Sequence, residues 1–230
     1  MMNSLFRKHW YLMMLAVLFF ASVSFAGTTN VQITGVGDSA SLDGVYVDPY
    51  TATVGTASNV PVICDDWSDT VTVGQSWTAN VINLASLGTS YTGASPLYGN
   101  NPALYNELAW LGTQLLANPT NTANQDVISF AIWELTYNSY PSNLPKEAYP
   151  SLATDEQNLV TTEIGLANGE TGFNGAGWSI LTPTNGGQGE PQEFLVYTPE
   201  SSAVILFGAD MLGLAALAFF FRRRLVQTEI

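Results

Sequence analysis

The sequence has very little cysteine, histidine or positive charge. Cys64 is its only cysteine and His9 its only histidine, in 230 residues. A single cysteine excludes an intramolecular disulfide, so the folded chain has to be stabilised by packing. Because His9 lies in the N-terminal segment, the rest of the chain has no histidine. That excludes a Ser-His-Asp triad, a Cys-His pair and a histidine-ligated zinc site.

Basic residues are scarce and unevenly placed. Lys146 is the only one between Gly27 and Glu200, a segment with 17 acidic residues and a formal charge of −16. A protein that binds nucleic acid needs a cationic surface to displace counterions from phosphate, so nucleic acid is excluded as a partner. Anionic lipid headgroups are disfavoured by the same repulsion.

The first 26 residues have the three parts of a secretory signal peptide. A basic pair at 7–8 precedes an apolar run at 10–20, and Ser24 and Ala26 are small residues at the positions that a signal peptidase recognises. We expect the Sec translocon and signal peptidase as partners, with cleavage between Ala26 and Gly27. The run is shorter than the ~20 residues of a membrane span, which favours removal over a retained anchor.

A longer apolar run lies at 202–221 and is followed by Arg222, Arg223 and Arg224. A helix of this length covers about 30 Å, the thickness of the hydrocarbon core. Since positive residues stay on the cytoplasmic side, the arginines act as a stop-transfer signal. The sequence therefore predicts a transmembrane helix over 202–221. We expect a single-pass location in the cell envelope with the preceding domain outside the cytoplasmic membrane, or release to the surface or matrix.

A Pro-Glu pair, Pro199 and Glu200, stands just before this run. The pair, the apolar helix with Gly and Leu, and the arginine cluster together resemble the PEP-CTERM sorting signal. The resemblance implies that residues 198–230 are a sorting domain, and that an exosortase, an integral-membrane cysteine protease, recognises and processes it. Ser201 departs from the family, which usually has a second proline there. An unprocessed tail anchor is the alternative.

Residues 27–197 are predicted to form one extracytoplasmic α+β domain. Short β-branched segments separated by Gly, Asp and Asn predict strands at 31–34, 51–54, 60–63, 71–73, 178–181 and 193–197. Apolar residues at helical spacing predict three central helices near 102–118, 122–135 and 155–167. Strands, then helices, then strands is the order typical of α+β folds. The complete prediction is this domain followed by the C-terminal transmembrane helix.

Cys64, within 62–67, is the sharpest candidate for chemistry when it is taken together with Phe130–Trp133. The two segments resemble the thioester domains of surface adhesins. In that family a cysteine at a strand end bonds to a glutamine two positions before the alanine of an Ala-Ile-Trp motif, giving an electrophile that captures a nucleophile. Here the matching residue is Ser129, which has no acyl group, and Gln125 lies one helical turn earlier on the same face. The sequence predicts a degenerate thioester site with a buried free thiol.

Asp65, Asp66 and Asp69 form an acidic cluster beside Cys64. Calcium takes oxygen ligands only, so these residues are weak candidates for a Ca²⁺ site. A solvent-exposed acidic face is the alternative, and no other cofactor is indicated.

Tryptophans are the last group with a candidate role. Rings with an apolar face and a polar edge can stack on sugars, and the candidates are Trp67, Trp77, Trp110, Trp133 and Trp178. No carboxylate pair has the defined spacing of a glycosidase. We therefore expect a non-enzymatic cell-surface or extracellular-matrix protein. An extracellular module that binds polysaccharide or Ca²⁺ and a thioester-type adhesin are the alternatives.

Overall fold

The computed structural model describes residues 27–36, 41–42, 45–47, 49–88, 95–117, 122–139, 152–185, 191–198 and 213. The predicted signal peptide, the Pro199-Glu200 pair and the arginines at 222–224 lie outside these residues. So does the predicted span at 202–221, apart from Gly213.

Six strands of the described chain close into one antiparallel barrel. They are β1 (Gly27–Gly35), β4 (Tyr50–Val54), β5 (Ala57–Cys64), β6 (Ser76–Asn83), β7 (Trp178–Pro183) and β8 (Phe194–Tyr197). Around the barrel they follow the order β1-β4-β5-β8-β7-β6. The short strands β2 (Ser41–Leu42) and β3 (Val45–Tyr46) pair only with each other.

Three helices lie between β6 and β7 in the described part of the chain, as the helical spacing predicted: α1 (Pro102–Ala117), α2 (Thr122–Ser139) and α3 (Thr154–Gly169). Asn101 caps α1, since its Oδ1 accepts a hydrogen bond from the Leu104 amide at 3.3 Å, and Pro102 suits the first helical position. A single-turn 3₁₀ helix, Leu84–Ser86, follows β6.

The predicted fold class was wrong in the way the strands assemble. The strands before and after the helices do not form two separate regions, because β7 and β8 insert between β6 and β5. Ile180 on β7 lies opposite Ile82 on β6, and Phe194 on β8 lies opposite Cys64 on β5. Closure gives each barrel strand two partners, which removes the unpaired backbone groups that an open sheet has at its edges.

The prediction of a fold that ends in a transmembrane helix is also corrected. No helix of the described residues is long and apolar enough to cross a membrane. The leucines of α1 face the core of the domain instead: Leu104, Leu108, Leu111 and Leu115. The single-pass membrane location that depended on this helix is withdrawn.

The segment 71–73, which the sequence predicts as a strand, is the turn that leads into β6. Thr72 and Gln75 close it, because the Gln75 amide donates to the Thr72 carbonyl at 3.0 Å and the Thr72 amide donates to Gln75 Oε1 at 3.0 Å. Gly74 follows with a φ of 94°, a conformation that favours glycine. The β-branched residues of the segment therefore fit a strand pattern locally without any partner strand.

The barrel has one covered side and one open side. All six residues of β7 are buried, whereas β1 alternates between buried and exposed positions. α1 approaches the covered side closely at Gly112. A Cβ atom at this position would lie 2.7 Å from Trp178 Cη2 and 3.0 Å from Ile63 Cδ1. The absence of a side chain at Gly112 thus sets the distance between α1 and the barrel.

We predict that Gly112→Ala lowers the free energy of unfolding by about 1–3 kcal/mol, because the added methyl overpacks the contact with Trp178. Urea denaturation measures this change. Gly165→Ala is the matched control, since Gly165 is also helical and a Cβ there meets nothing within 4 Å. It should raise stability by up to about 1 kcal/mol through helix propensity. Equal effects of the two substitutions would contradict the assigned contact.

Candidate functional site

Cys64 is the last residue of β5, and the backbone that leaves it is held by side chains from distant parts of the chain. Trp133 Nε1, on α2, donates to the Cys64 carbonyl at 3.0 Å. The Tyr98 hydroxyl donates to the Asp65 carbonyl at 2.9 Å. The structure therefore brings together the two segments, 62–67 and 130–133, that carry the resemblance to thioester domains.

The Cys64 thiol is free, buried and hydrogen-bonded inside the protein. Its Sγ donates to the Asp66 carbonyl at 3.2 Å, and the same carbonyl accepts Gln192 Nε2 at 2.8 Å. Burial raises the pKa of the thiol well above its ordinary value, and the negative charges of Asp66 and Asp65 add to that effect. Since the thiolate is the nucleophilic form, this cysteine is held in its unreactive state.

Ser129, at the position where a thioester domain has its glutamine, is buried on α2 and does not face an open site. Its Oγ donates a hydrogen bond to the Val47 carbonyl. A hydroxyl group has no acyl carbon for a thiol to attack, so this pair of residues cannot form a thioester. Gln125, one turn earlier, is also buried.

Aromatic rings fill the space between the β5 end and α2. The ring centroids of Trp67 and Trp133 are 5.0 Å apart, those of Phe130 and Trp133 are 5.2 Å apart, and those of Trp67 and Phe130 are 6.1 Å apart. This apolar cluster, together with the 5% exposure of Cys64, makes a low-polarity environment that disfavours charge on the thiol.

A buried pair of acids, Asp65 and Glu193, lies beside the thiol. Glu193 is fully satisfied: it accepts hydrogen bonds from the Tyr105 hydroxyl at 2.6 Å, the Thr182 hydroxyl at 2.5 Å and the Leu97 amide at 2.9 Å. Asp65 is not. Both of its carboxylate oxygens are buried and have no hydrogen-bond partner within the described residues.

Burial raises the pKa of both acids. The pKa of Glu193 rises to about 7, and its hydrogen bonds act in the opposite direction. The pKa of Asp65 rises well above its ordinary value because of burial first and the charge of Glu193 second. The described residues include no lysine or arginine to compensate these charges. Protonation is therefore what neutralises the pair.

The acidic cluster is not the solvent-exposed face that the sequence suggested. Asp65 and Asp66 are 0% and 1% exposed, and Asp69 is 9% exposed. Asp66 Oδ1 accepts the Ser68 amide at 2.8 Å and the Ser68 hydroxyl at 2.6 Å. Among the described residues, no three or more His, Cys, Asp or Glu side chains are grouped so as to hold a metal ion. Of the candidate Ca²⁺ ligands, Asp66 is thus bonded to Ser68 in a turn, and Asp65 belongs to the buried acid pair.

The five candidate tryptophans have different environments. Trp133 and Trp178 are buried, and Trp67 and Trp110 are partly buried and packed against the core. Trp77, on β6, is also partly buried, and its ring packs against the buried Phe194, with centroids 5.9 Å apart. None of the five rings therefore stands free on the described surface as a sugar-stacking platform.

Four residues of the Cys64 site were not found from the sequence: Tyr98, Tyr105, Gln192 and Glu193. The tyrosines lie just before and within α1, and the acid and amide precede an apolar strand. No motif marks them, because each reaches the site through tertiary contacts. The only signal was Glu193, an acid directly next to the apolar run of β8.

Comparison with known proteins gives a partial similarity to a solved structure. No protein-family model matches the chain, and no curated protein matches it. Among solved structures, the chain is similar to the N-terminal domain of the Streptococcus pyogenes pilus tip adhesin Cpa, with 13% sequence identity and a TM-score of 0.43. The match covers 78% of this chain and 97% of that domain. A similarity at this level does not extend to the chemistry around Cys64.

The buried acids predict a stability that falls as pH rises. The pKa of Glu193 is about 7 in the folded protein, against an ordinary 4.5, so between these values the folded state holds a proton that the unfolded chain has lost. The contribution of Glu193 to the free energy of unfolding is fully present below about pH 4.5, and it is lost as the pH rises through about 7. The loss is on the order of 3 kcal/mol. Chemical denaturation across this range measures it.

Glu193→Gln isolates this contribution from the remaining acids. The amide is isosteric, its oxygen can keep the Thr182 and Leu97 donors, and its NH₂ can donate to the Tyr105 hydroxyl. We expect the variant to lose much of the pH dependence between about 4.5 and 7. A variant with the same slope as the parent protein would show that Glu193 does not carry the proton.

Proposed function

We propose that this protein is a non-enzymatic, exported surface protein whose adhesin-like domain has lost covalent capture. The proposal is based on how the two segments that resemble a thioester domain meet at the Cys64 site. Trp133 donates to the Cys64 carbonyl at the strand end, while Ser129, at the position of the acyl donor in thioester domains, donates to the Val47 carbonyl. The two segments that carry the resemblance therefore meet, while the acyl donor that a thioester needs is missing.

Two features, one of the sequence and one of the described residues, support the non-enzymatic proposal. No histidine is present after His9, and the buried acids Asp65 and Glu193 are closed off from solvent. General acid–base catalysis requires a group within hydrogen-bond reach of a substrate. Acids with exposures of 0% and 1% do not meet that requirement in this conformation.

The state of Cys64 tests this proposal directly. We expect the intact mass of the purified protein to equal that of the unmodified chain, without the loss of one ammonia that thioester formation causes. A maleimide reagent should label Cys64 slowly in native buffer and rapidly in denaturant, because the thiol is buried and its pKa is raised. Cys64→Ala provides the unlabelled control. Rapid native labelling would contradict the inert thiol.

A thioester-type adhesin is the second candidate, because one amide does lie near the thiol. Gln192 Nε2 and Cys64 Sγ donate to the same Asp66 carbonyl, at 2.8 and 3.2 Å, and Gln192 Oε1 is buried without a partner in the described part of the chain. Attack of sulfur on Gln192 Cδ would form the thioester and release ammonia. A mass lower by one ammonia that is restored in Gln192→Ala would establish this candidate and overturn the first.

Export is proposed from the signal peptide, and the barrel is compatible with it. β1 begins at Gly27, the residue after the proposed cleavage site, and Gly27 pairs with Val81 on β6. Cleavage after Ala26 therefore removes no barrel strand. At the other end, the Thr198 amide donates to the Gly177 carbonyl at 2.7 Å. Processing by an exosortase at Pro199-Glu200 would leave β8 in place.

Both cleavages have a direct test in cells that encode an exosortase. We expect N-terminal sequencing of the exported protein to begin at Gly27, and its mass to lack the segment that follows the Pro199-Glu200 site. A Pro199→Ala, Glu200→Ala double variant should keep that segment. Identical masses for the parent protein and the variant would remove the exosortase from the proposal, and recovery only from the cytosol would remove export.

A further inference from the structure

The pairing of β5 with β8 is weak directly beside the thiol. Cys64 lies opposite Phe194, and beyond this pair the Asp65 amide donates to the Glu193 carbonyl at 3.5 Å. That distance is at the limit for a hydrogen bond, whose usual N···O separation is about 2.9–3.0 Å. Ends of ladders open at a lower free energy than their centres. The last contact between the two strands is therefore the one that carries both buried acids.

The two segments that meet in this contact also hold the thiol. Cys64 Sγ and Gln192 Nε2 donate to the same Asp66 carbonyl, at 3.2 and 2.8 Å. Asp66 follows Asp65 in the chain, and Gln192 precedes Glu193. Separation of the two acids therefore draws the Gln192 amide away from the Asp66 carbonyl and opens the place in which the thiol is held.

Repulsion between like charges acts on this contact. Both carboxylate oxygens of Asp65 are buried and have no hydrogen-bond partner within the described residues. The other titratable groups around the acid pair and the thiol are Asp66, Tyr50, Tyr98 and Tyr105. All of them are acids, and the described residues include no lysine, arginine or histidine. Each proton that the pair loses therefore adds a buried negative charge without a neighbouring cation.

Opening of this contact releases protons. The pKa of Glu193 is about 7 in the folded protein against an ordinary 4.5, and the pKa of Asp65 is raised well above 3.8. Between about pH 4.5 and 7 the closed form therefore holds protons that the solvent-exposed acids have lost. Each proton released on opening makes opening about tenfold more favourable per pH unit. Opening is suppressed in acid and becomes more frequent as the pH rises.

We propose that the acid pair is a pH-sensitive switch on the Cys64 thiol. Loss of its protons separates Asp65 from Glu193 at the end of the β5–β8 ladder and gives solvent access to a thiol that is otherwise closed in. The chemical consequence is a nucleophile that is withheld in acid and accessible in neutral to alkaline medium. This regulation requires neither export nor the loss of covalent capture.

The test is the rate at which a maleimide labels Cys64 in the folded full-length chain between about pH 5 and pH 8. Each rate is divided by the rate for the denatured chain at the same pH, which removes the intrinsic titration of the thiol. We expect this ratio to rise by about tenfold or more per pH unit between about pH 5 and 7. Glu193→Gln and Asp65→Asn should each make the rise shallower, because each removes one of the protons released.

Glu163→Gln is the matched control. Glu163 is a partly buried acid on α3 whose pKa is also raised by burial, and its substitution should leave the rise unchanged. Low concentrations of urea separate the switch from global unfolding, because a local opening exposes little surface and depends weakly on urea.

Three results would overturn the inference: a ratio that does not change with pH, a rise that both acid variants keep in full, or a urea dependence equal to that of global unfolding. Glu193→Gln can keep the hydrogen bonds of the parent side chain, so the test remains decisive if Asp65→Asn fails to fold. Intact mass is measured on the same samples. A failure of the switch is therefore distinguished from a failure of the proposed function.

Discussion

The pairing of β8 with β5 is the interaction on which the rest of the structure depends. Cys64 lies opposite Phe194 and Ile63 lies opposite Leu195, and this contact closes the barrel. It also fixes what precedes β8: Gln192 and Glu193 come to lie against the backbone that leaves Cys64. The environment of the thiol and the buried acid pair therefore follow from one strand pairing between distant parts of the chain.

The shortage of basic residues determines how this site is stabilised. A buried acid in most proteins is paired with a cation or fully hydrogen-bonded. Here Glu193 has three hydrogen bonds from Tyr105, Thr182 and Leu97, while Asp65 has none in the described part of the chain. With only Lys146 available between Gly27 and Glu200, protonation takes the place of a salt bridge. A protonated pair keeps the charge beside the thiol low, and it makes the stability of the fold depend on pH.

Local patterns predicted the elements well, and their assembly poorly. The leucine spacing and the Asn101-Pro102 start predicted α1, because both signals act within one helix. The turn at 71–73 was taken for a strand, since β-branched composition does not reveal whether a partner strand exists. The sequence suggested a solvent-exposed acidic face for Asp65 and Asp66, but Tyr98 and Gln192 contact their backbone from distant parts of the chain, and both acids are buried. Barrel closure and the acid pair depend on contacts between distant parts of the chain, which leave no signal in the local sequence.

The two sides of the barrel have different chemical possibilities. The helices cover β7 and the end of β5, where every residue from Val62 to Asp66 is buried, so a macromolecule cannot reach Cys64 without displacing Trp67 or Trp133. The strands β1, β4 and β6 keep one face in solvent, and that face is polar, uncharged and concave. Polar groups on the open side, such as those of Asn30, Gln32 and Ser76, face solvent, whereas Asp65 and Gln192 Oε1 on the covered side are buried without a hydrogen-bond partner in the described part of the chain. The free-energy cost of unsatisfied polar groups therefore falls on the side that holds Cys64.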